Sequence, residues 1–445
     1  MPRTATGSRG GRLCRPGAVA DPGRAEGVKL GLVPLDPSRV VTRLEELRSL
    51  TGNEDGAQRV AWTETWATAR AWLAESLSDL PLDVERDQAG NDWYTLRGSS
   101  ERAVLLGGHM DSVPNGGWLD GCLNVLAAAE TLRRIADEGT PPVTVRLVDW
   151  ADEEGARFGR SLFGSSAAGG SMADQDELRT LVDRDGVSLP DAIGAFGIDL
   201  DRAVEARSQL ASAAAYLELH IEPGPVLESL DLPLGAVLGT FGVERWRITW
   251  TGQAAHAGST PMDQRRDALA GAAKLALAIR DVARETGDGA VCTSGGVVCR
   301  PGIVTSVVET AEQLLDQRHL DADKLASMLE RAQELSRGFA AEERIEVDWE
   351  RLWSIEPILF DETLIGFAGE AIHEVAGASQ RLPSGPLHDA AEVARAGVPT
   401  VMLFVQSLRG LSHTKVEDTK PEHLELSVAA LDRLAAKTIA WVAAG

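Results

Sequence analysis

His109 and Asp111 stand two residues apart at the end of a short apolar run, in the string GGHMD. Side chains two apart in extended backbone point to the same side, so the carboxylate of Asp111 can accept a hydrogen bond from the ring of His109. A histidine that binds a metal ion needs such a partner on its other nitrogen. Asp120 follows at the start of a predicted helix, where the helix dipole tolerates an anion. Taken alone, these residues are explained equally well by a satisfied loop histidine and a helix cap.

Two adjacent carboxylates, Glu153 and Glu154, end the next predicted strand in the string WADEEG. An isolated pair of this kind is usually solvated surface charge. Beside the strand that carries His109 a second interpretation is favoured, because consecutive side chains diverge in direction. One carboxylate can then bind a metal ion while the other remains free as a base that activates water.

Two further histidines, His220 in YLELHIEPGP and His413 in SLRGLSHTK, each lie at or after a predicted strand. Either one alone is explained as an ordinary polar residue. Three imidazoles and two carboxylates together suit zinc, cobalt, manganese or nickel better than calcium or magnesium. Because five ligands exceed the three that one catalytic zinc takes, we expect two divalent ions bridged by a carboxylate. The predicted metal ligands are His109, Asp120, Glu154, His220 and His413.

The chain around these residues alternates between strand and helix patterns. An apolar strand at 103–107, a helix at 121–136 and a second strand at 144–149 form a βαβ unit, whose strands are parallel. Ligands of open parallel sheets bind beyond the carboxyl ends of the strands, which is where both polar loops lie. The sequence therefore predicts an α/β fold with a mixed, largely parallel sheet.

A different pattern begins near residue 240. Residues 244–250 alternate as in a half-buried strand, a helix follows at about 267–285, and further strands and helices run to about residue 347. This order predicts an inserted α+β domain. The predicted segments are an extension at 1–36, the first part of a catalytic domain at 37–239, the inserted domain at 240–356, and the second part of the catalytic domain at 357–445.

The composition narrows the classes of protein. Of the 445 residues, 67 are Asp or Glu and 44 are Lys or Arg, and the resulting charge of −23 disfavours nucleic acid and anionic membranes as partners. No apolar run reaches the ~20 residues of a membrane helix. The four cysteines form no CxxC pair, which is typical of a reducing compartment, so we expect a cytoplasmic protein. The first thirty residues lack the apolar core of a secretory signal and are predicted to be a disordered extension.

Five strings, taken together, resemble the zinc-dependent amidohydrolases of the hydantoinase/carbamoylase family. They are GGHMDSVPNGGWLDG, WADEEGARFGRSLFGS, YLELHIEPGPVLE, WTGQAAHAGSTPMDQRRDAL and the pair LHDA and GLSHTK. That family comprises N-carbamoyl-L-amino-acid hydrolases, β-ureidopropionases and allantoate amidohydrolases, relatives of the dinuclear-zinc aminoacylases and carboxypeptidases. The resemblance extends from about residue 38 to residue 440. It implies a zinc-peptidase-like catalytic domain and makes the inserted domain a lid that also forms a homodimer.

The resemblance implies a role for each metal-site residue. Asp120 would bridge the two ions, with His109 and His220 completing one position. Glu154 and His413 would complete the other position. Glu153 would be the general base, and Asp111 would orient the ring of His109.

The resemblance also implies two roles on the inserted domain. His256, in GQAAHAGSTP, matches a histidine that donates to the oxyanion of the tetrahedral intermediate and that acts across the dimer interface or on lid closure. Arg318, in LLDQRH, matches an arginine that grips the substrate carboxylate with its fork of N–H groups. A surface salt bridge is the alternative explanation for Arg318.

Three departures from the family pattern all concern the substrate. Pro223 stands where the family usually has Gln after HIE, and Thr305 is what the sequence offers where the family usually has a substrate-binding Asn. Trp118 and Leu119 occupy places where a basic and an aromatic residue are common. We expect hydrolysis to be retained with a shifted small-molecule substrate.

The predicted reaction is hydrolysis of the carbamoyl C–N bond of an N-carbamoyl-amino acid, or of a related ureido acid such as allantoate, with release of ammonia and carbon dioxide. An aminoacylase or dipeptidase that acts on an N-acyl amino acid with the same metals is the alternative. A third hypothesis is a non-catalytic binding protein that kept the fold. It is disfavoured because every ligand position and the base position are filled.

Overall fold

The computed structural model describes residues 34–445. The predicted extension at 1–36 lies outside these residues except for its last three. The first helix begins at Pro37, and the side chain of Asp36 accepts a hydrogen bond from the N–H of Arg39 at 3.2 Å. An acidic cap followed by proline is a common helix start, because proline lacks an N–H that would have no helical partner there.

Strands and helices alternate along the described chain. The strands are β1 (Gly52–Asn53), β2 (Gly56–Ala57), β3 (Asp83–Arg86), β4 (Asp92–Leu96), β5 (Ala103–His109), β6 (Thr144–Trp150), β7 (Ala213–Ile221), β8 (Leu234–Thr240), β9 (Gly242–Thr251), β10 (Ala255–His256), β11 (Val291–Arg300), β12 (Ser306–Val307), β13 (Thr310–His319), β14 (Glu346–Ile355), β15 (Ile358–Leu359), β16 (Gln380–Ser384) and β17 (Thr400–Val405). The α-helices are α1 (Pro37–Thr51), α2 (Glu64–Ser76), α3 (Cys122–Glu138), α4 (Phe163–Gly169), α5 (Gln175–Arg179), α6 (Leu189–Gly194), α7 (Val226–Ser229), α8 (Ala268–Thr286), α9 (Ala322–Glu343), α10 (Glu362–Ala376), α11 (Asp389–Arg395) and α12 (Pro421–Ala444). Short 3₁₀ helices lie at Leu200–Leu210, Met262–Gln264 and Leu408–Gly410.

The larger of the two main sheets has nine strands. Their order is β15-β8-β17-β7-β5-β6-β4-β3, with β16 also paired to β8. The four central strands β17, β7, β5 and β6 pair in parallel, and the edges β3, β4 and β15 pair antiparallel. The predicted α/β class with a mixed sheet is confirmed. The parallel strands all point their carboxyl ends to one edge, and this edge carries the polar loops.

The helices α1, α3, α10 and α12 cover the sheet and one another. Strand β5 is buried on both faces, as is β6, which explains why both read as nearly continuous apolar runs. Over residues 34–445, none of the helices combines the length and the apolar character that crossing a membrane requires.

A separate four-stranded antiparallel sheet has the order β11-β13-β9-β14. Helices α8 and α9 pack on it around a second hydrophobic cluster that includes Ile248, Trp250 and Leu315. The predicted strand at 244–250 and helix at 267–285 correspond to β9 and α8. The boundaries 240 and 356, and the roles of this segment as a lid and dimerisation domain, stay predictions.

A buried ion pair stabilises the strand ends near the polar loops. The Nε of Arg70 lies 2.6 Å from Oδ2 of Asp149 and 3.0 Å from Oδ2 of Asp92, and its guanidinium lies 4.4 Å from the ring of Trp66. The other oxygen of Asp149 accepts a hydrogen bond from the N–H of Met110 at 2.8 Å. This network therefore ties β6 to the residue that follows His109.

Substitution of Arg70 by Met is expected to lower the free energy of unfolding by about 3–5 kcal/mol, because it leaves the carboxylate of Asp149 buried without its charge partner, whereas Asp92 keeps its ion pair with Arg86. Urea unfolding measures this change. The matched control is Arg97→Met, whose ion pair with Asp83 is exposed on both sides and whose loss should leave stability nearly unchanged. Equal losses in the two variants would contradict the structural role given to Arg70.

Candidate metal centre and catalytic site

The five predicted metal ligands come from four stretches of chain that meet at the carboxyl edge of the parallel strands. His109 ends β5, and Glu154 lies in the loop after β6. His220 is the last but one residue of β7, and His413 lies in the loop between β17 and α12. Asp120 lies two residues before α3. The fold therefore brings all five side chains to one place.

The first group consists of His109, Asp120 and His220. Oδ1 of Asp120 lies 3.1 Å from Nε2 of His220 and 3.6 Å from Nε2 of His109. The three ligand atoms all lie within 4.8 Å of one another. Two imidazole nitrogens and a carboxylate oxygen at this spacing fit one divalent ion of the zinc type.

The second group consists of Asp120, Glu154 and His413. Nε2 of His413 lies 3.5 Å from Oδ2 of Asp120 and 3.2 Å from Oε2 of Glu154. Asp120 thus turns one oxygen to each group, which is the arrangement of a bridging carboxylate. The structure brings the five side chains together in the two sets that the family resemblance implied.

Within the described chain, two buried polar atoms of these groups lack a hydrogen-bond partner, as expected of atoms that bind a metal ion. Nε2 of His109 and Oε1 of Glu154 are buried and have no hydrogen-bond partner among the described residues. A buried polar atom without a partner is costly, and a metal ion would satisfy both atoms. The donor set therefore fits divalent ions by its chemistry and by its unpaired atoms.

The histidine rings are held through their other nitrogens. Nδ1 of His220 lies 2.6 Å from the carbonyl oxygen of Ile221, and Nδ1 of His109 lies 3.1 Å from the carbonyl oxygen of Asp111. An Nδ1–H that donates to a carbonyl leaves Nε2 as the lone-pair nitrogen toward Asp120.

Asp111 lies next to His109, but its carboxylate has a second function. Its Oδ1 is 3.5 Å from Nδ1 of His109, longer than the contact to the main-chain oxygen. Its two oxygens accept hydrogen bonds from the N–H groups of Glu153 and Glu154, at 3.3 and 3.2 Å. Asp111 therefore also fixes the backbone that presents the two glutamates.

A glycine allows α3 to begin against His109. Gly121 has a φ of 67°, in the left-handed region, and a Cβ at this position would lie 2.3 Å from the carbonyl oxygen of His109. No larger residue fits this approach. The close contact is what brings Asp120 to Nε2 of His109.

The electrostatics of the site follow from burial of many charges together. Burial raises the pKa of Glu154 to about 8, and the neighbouring Asp120 adds to the rise. Burial by itself lowers the pKa of His220, but Asp120 outweighs it and raises that pKa to about 9. For Asp120, burial is outweighed by the three histidines, which lower its pKa. These shifts favour protonation of Glu154 and His220 when no cation is bound.

Glu153 lies beside both groups without belonging to either. Its Oε2 is 3.9 Å from Nε2 of His109, and the residue is only 8% exposed. Burial raises the pKa of Glu153 well above its ordinary value, whereas His109 counteracts the rise. A carboxylate at this position can serve as a general base.

The predicted residues of the inserted segment lie in different places. Arg318 lines a cleft of about 940 Å³ together with Glu153 and His413. Its Nε donates to Oδ1 of Asp316 at 2.7 Å, and its Nη1 donates to the carbonyl oxygen of Gly385 at 3.0 Å. The arginine therefore faces the cleft while forming a salt bridge.

His256 and Thr305 do not line this cleft in the described chain. Both are exposed, and they lie beside each other where β10 pairs with β12. Nδ1 of His256 accepts a hydrogen bond from the N–H of Gly258 at 3.0 Å. Their predicted contacts with the substrate stay predictions.

Sequence reasoning gave no role to His388, although it noted the string LHDA. The ring of His388 lies 4.3 Å from that of His220, and its Nδ1 is 4.0 Å from Oε1 of Glu153. Burial and then His220 lower the pKa of His388 well below its ordinary value. A neutral imidazole therefore lines the cleft beside the metal groups, with Oγ of Ser384 2.8 Å from its Nε2.

Comparison with known proteins agrees with the geometry of the site. The sequence model described as peptidase family M20/M25/M40 matches residues 105–437. The chain belongs to this family. Among its relatives, the N-carbamoyl-L-amino acid amidohydrolase of Geobacillus stearothermophilus is 35% identical over 385 residues, which are 85% of this chain and 93% of that protein. The allantoate amidohydrolase of Escherichia coli is 32% identical over 389 residues, 87% of this chain and 93% of that protein.

Solved structures of hydantoinase/carbamoylase family amidases have a similar fold. An amidase of the hydantoinase/carbamoylase family from Burkholderia phymatum superimposes with a TM-score of 0.81 at 31% identity, over 92% of this chain and 99% of that one. A similar amidase from Burkholderia multivorans gives 0.82 at 28% identity, over 91% and 98%. The resemblance of the sequence to the hydantoinase/carbamoylase amidohydrolases is confirmed.

Removal of metal is expected to make the stability of this M20 family member strongly dependent on pH. A group whose pKa is higher in the folded than in the unfolded chain contributes stability that is lost as the pH rises through the folded pKa. This window extends from about 4.5 to about 8 for Glu154 and from about 6.5 to about 9 for His220. The melting temperature of the chelator-treated protein should therefore decrease as the pH is raised from 5 to 9.

Added divalent ions should flatten this dependence, because the cation replaces the protons. The depressed pKa of Asp120 does not enter the window, since its contribution is lost only in acid, below its ordinary value of 3.8. A chelator-treated protein that is more stable at pH 9 than at pH 6 would contradict the expectation.

Proposed function

We propose that the chain is a metal-dependent amidohydrolase that cleaves the carbamoyl C–N bond of an N-carbamoyl-amino acid or of a related ureido acid such as allantoate, releasing ammonia and carbon dioxide. The observation that carries this proposal is the pair of ligand groups that share Asp120, with Glu153 free beside them. Relatives named as amidohydrolases of this class support the choice of bond. A ureidoglycolate hydrolase of Arabidopsis thaliana is a further relative, 28% identical over 430 residues.

We assign two divalent ions to the site, with zinc as the first candidate and manganese, cobalt or nickel as alternatives. Imidazole with carboxylate suits these ions better than calcium or magnesium. Ions of this kind polarise a carbonyl oxygen and make water a stronger acid. His109 and His220 would hold one ion, Glu154 and His413 the other, and Asp120 both.

Glu153 accepts a proton from the attacking water and passes it to the leaving nitrogen. Its position supports this role, because its carboxylate lies beside both ligand groups and its backbone is fixed by Asp111. The carboxylate needs to be ionised for the first transfer and protonated for the second, which is the usual cycle of a general acid–base.

Arginine side chains in the cleft, which also contains four acidic residues, support a carboxylate-bearing substrate. The arginines that line it are Arg160, Arg245, Arg318 and Arg395. Arg318 has the planar fork that binds a carboxylate through two parallel hydrogen bonds. The substrate carboxylate would replace Asp316 as its partner.

His256 and Thr305 complete the substrate site when the segment 240–356 moves inward or when a second copy of the chain supplies them. We therefore assign this segment as a lid and dimerisation domain and the protein as a cytoplasmic homodimer. In the closed state His256 donates to the developing oxyanion. This assignment accounts for the exposure of His256 in the single chain.

A second candidate function is hydrolysis of an N-acyl amino acid by an aminoacylase or dipeptidase. The same ligands and the same base would serve it. The observation that favours it is Pro223, which lines the cleft where the family usually has a glutamine. Without that side-chain amide, the site has one fewer group to bind a carbamoyl nitrogen.

A substrate panel separates the two candidates. Protein reconstituted with Zn²⁺, Mn²⁺ or Co²⁺ is given N-carbamoyl-amino acids, allantoate and N-acetyl-amino acids, and release of ammonia or acetate is measured. We expect kcat/KM for a carbamoyl or ureido substrate to exceed that for its acetyl analogue by at least tenfold, which corresponds to about 1.4 kcal/mol. A preference for the acetyl analogue would favour the aminoacylase, and turnover of neither would contradict both.

A further inference from the structure

Glu417 is a buried carboxylate beside the metal groups that has no part in the reaction described above. It is 1% exposed and lies in the loop that carries His413, between β17 and α12. It belongs to neither ligand group. A buried acid at such a place needs an explanation, because burying a carboxylate is costly unless it is hydrogen-bonded.

The carboxylate of Glu417 joins two loops. Its Oε1 accepts hydrogen bonds from the N–H groups of Leu119 and Asp120, at 3.2 and 3.1 Å. Its Oε2 lies 3.1 Å from Oγ of Ser412, and the same Oγ lies 3.1 Å from Oδ2 of Asp120. The contacts thus connect the turn before α3 to the loop of His413.

The turn before α3 leaves room for this carboxylate. A Cβ on Gly117 would lie 2.0 Å from Oε1 and 2.4 Å from Oε2 of Glu417. The space is therefore a cradle that any side chain at residue 117 would fill. The close approach of the carboxylate to the backbone explains why the second position of the pair in NGGWLDG is a glycine.

The two connected loops supply the two ends of the second metal group. His413 has a side chain that is 58% exposed, so packing contributes little to its position. Its Nε2 lies 3.5 Å from the oxygen of Asp120 that also contacts Ser412. The distance between His413 and Asp120 therefore depends on the contacts that hold their backbones together.

We propose that Glu417 is a positioning residue that sets the distance between Asp120 and His413 and thereby the affinity of the second metal position. The inference rests on the metal centre proposed above. Outer hydrogen-bond partners of metal ligands typically change metal affinity by about 10–100-fold. Loss of Glu417 should weaken metal binding at the position of His413 and Glu154 more than at the position of His109 and His220. Only the position of His413 and Glu154 takes ligands from both of the connected loops.

The test is a titration of the full-length, chelator-treated protein with Zn²⁺ in competition with a chromophoric chelator. We expect Glu417→Gln to raise the dissociation constant of one of the two Zn²⁺ ions by about 10–100-fold and that of the other by much less. The absorption spectrum of the Co²⁺-loaded protein provides a second measurement, and it should lose the contribution of one ion first. At saturating Zn²⁺, kcat should approach that of the unmodified chain.

Two further variants keep the test decisive. Ser412→Ala removes only the hydroxyl between the carboxylates and should weaken the same ion to a smaller extent, even if Glu417→Gln folds poorly. Asp87→Asn is the matched control, because Asp87 is 4% exposed and accepts hydrogen bonds from two backbone N–H groups at 2.9 and 3.0 Å, as Glu417 does, but lies in neither metal group. It should lower stability without changing Zn²⁺ affinity.

Unchanged affinity for both ions in Glu417→Gln, or an equal loss at both positions, would overturn the inference. The same loss in Asp87→Asn would also overturn it, because it would show a general effect of stability. The titration uses no substrate, so an incorrect substrate class leaves its result unaffected. An unmodified chain that binds fewer than two Zn²⁺ ions would contradict the proposed centre itself.

Discussion

Glu153→Gln is expected to lower kcat by about 10²–10⁴-fold while two divalent ions remain bound. The amide has nearly the same shape as the carboxylate but cannot accept the proton of the attacking water, and general acid–base catalysis contributes this much to a rate. Because Glu153 is outside both ligand groups, metal content should not change. Steady-state kinetics and metal analysis of the same sample measure both quantities.

The neighbouring glutamate provides the matched control for Glu153. Glu154→Gln makes the same chemical change one residue along the chain, but it removes a ligand of the second group. It should lose metal, and its activity should recover in part when the free ion concentration is raised. If Glu153→Gln retained full turnover, or if it lost metal as Glu154→Gln does, the role of general base would be wrongly assigned.

Asp120→Asn is expected to reduce binding of both ions and to abolish activity at ordinary metal concentrations. Asp120 is the residue common to both ligand groups, with one oxygen in each. Loss of its charge also leaves three imidazoles without their shared anion, so the effect should exceed the 10–100-fold that an outer partner gives. Metal analysis after gel filtration measures the loss.

His413→Ala is the comparison that makes the prediction for Asp120 specific. It removes a ligand from the second group alone, so one ion should remain bound. An Asp120→Asn variant that kept two ions, or that lost only one as His413→Ala does, would show that Asp120 does not bridge.

Much of the metal centre was predictable because it depends on strand ends. His109, Glu154 and His220 each lie at or just beyond the carboxyl end of a parallel strand, and the sequence shows where such strands end. The two sets of ligands that share Asp120 followed from the family resemblance, and the observed distances agree with them. The exact partner of the His109 ring was not readable, because a main-chain carbonyl oxygen is available from any residue.

The parts that were not predictable depend on contacts between distant pieces of chain. The hydrogen bond from Arg318 to the carbonyl oxygen of Gly385 and the exposure of His256 follow from where the second sheet lies, which no local pattern encodes. His388 and Glu417 belong to no spacing rule that singles them out. Their burial beside the metal groups became visible only from the fold.

The unequal exposure of the histidines has a consequence for how the protein acquires its ions. His109 and His220 have side chains that are 2% and 6% exposed, whereas that of His413 is 58% exposed. An ion held by His413 can meet incoming water and competing chelators directly, so it should exchange with the medium faster than its neighbour. Turnover would then follow the free metal concentration of the surroundings over the range in which only this outer ion comes and goes.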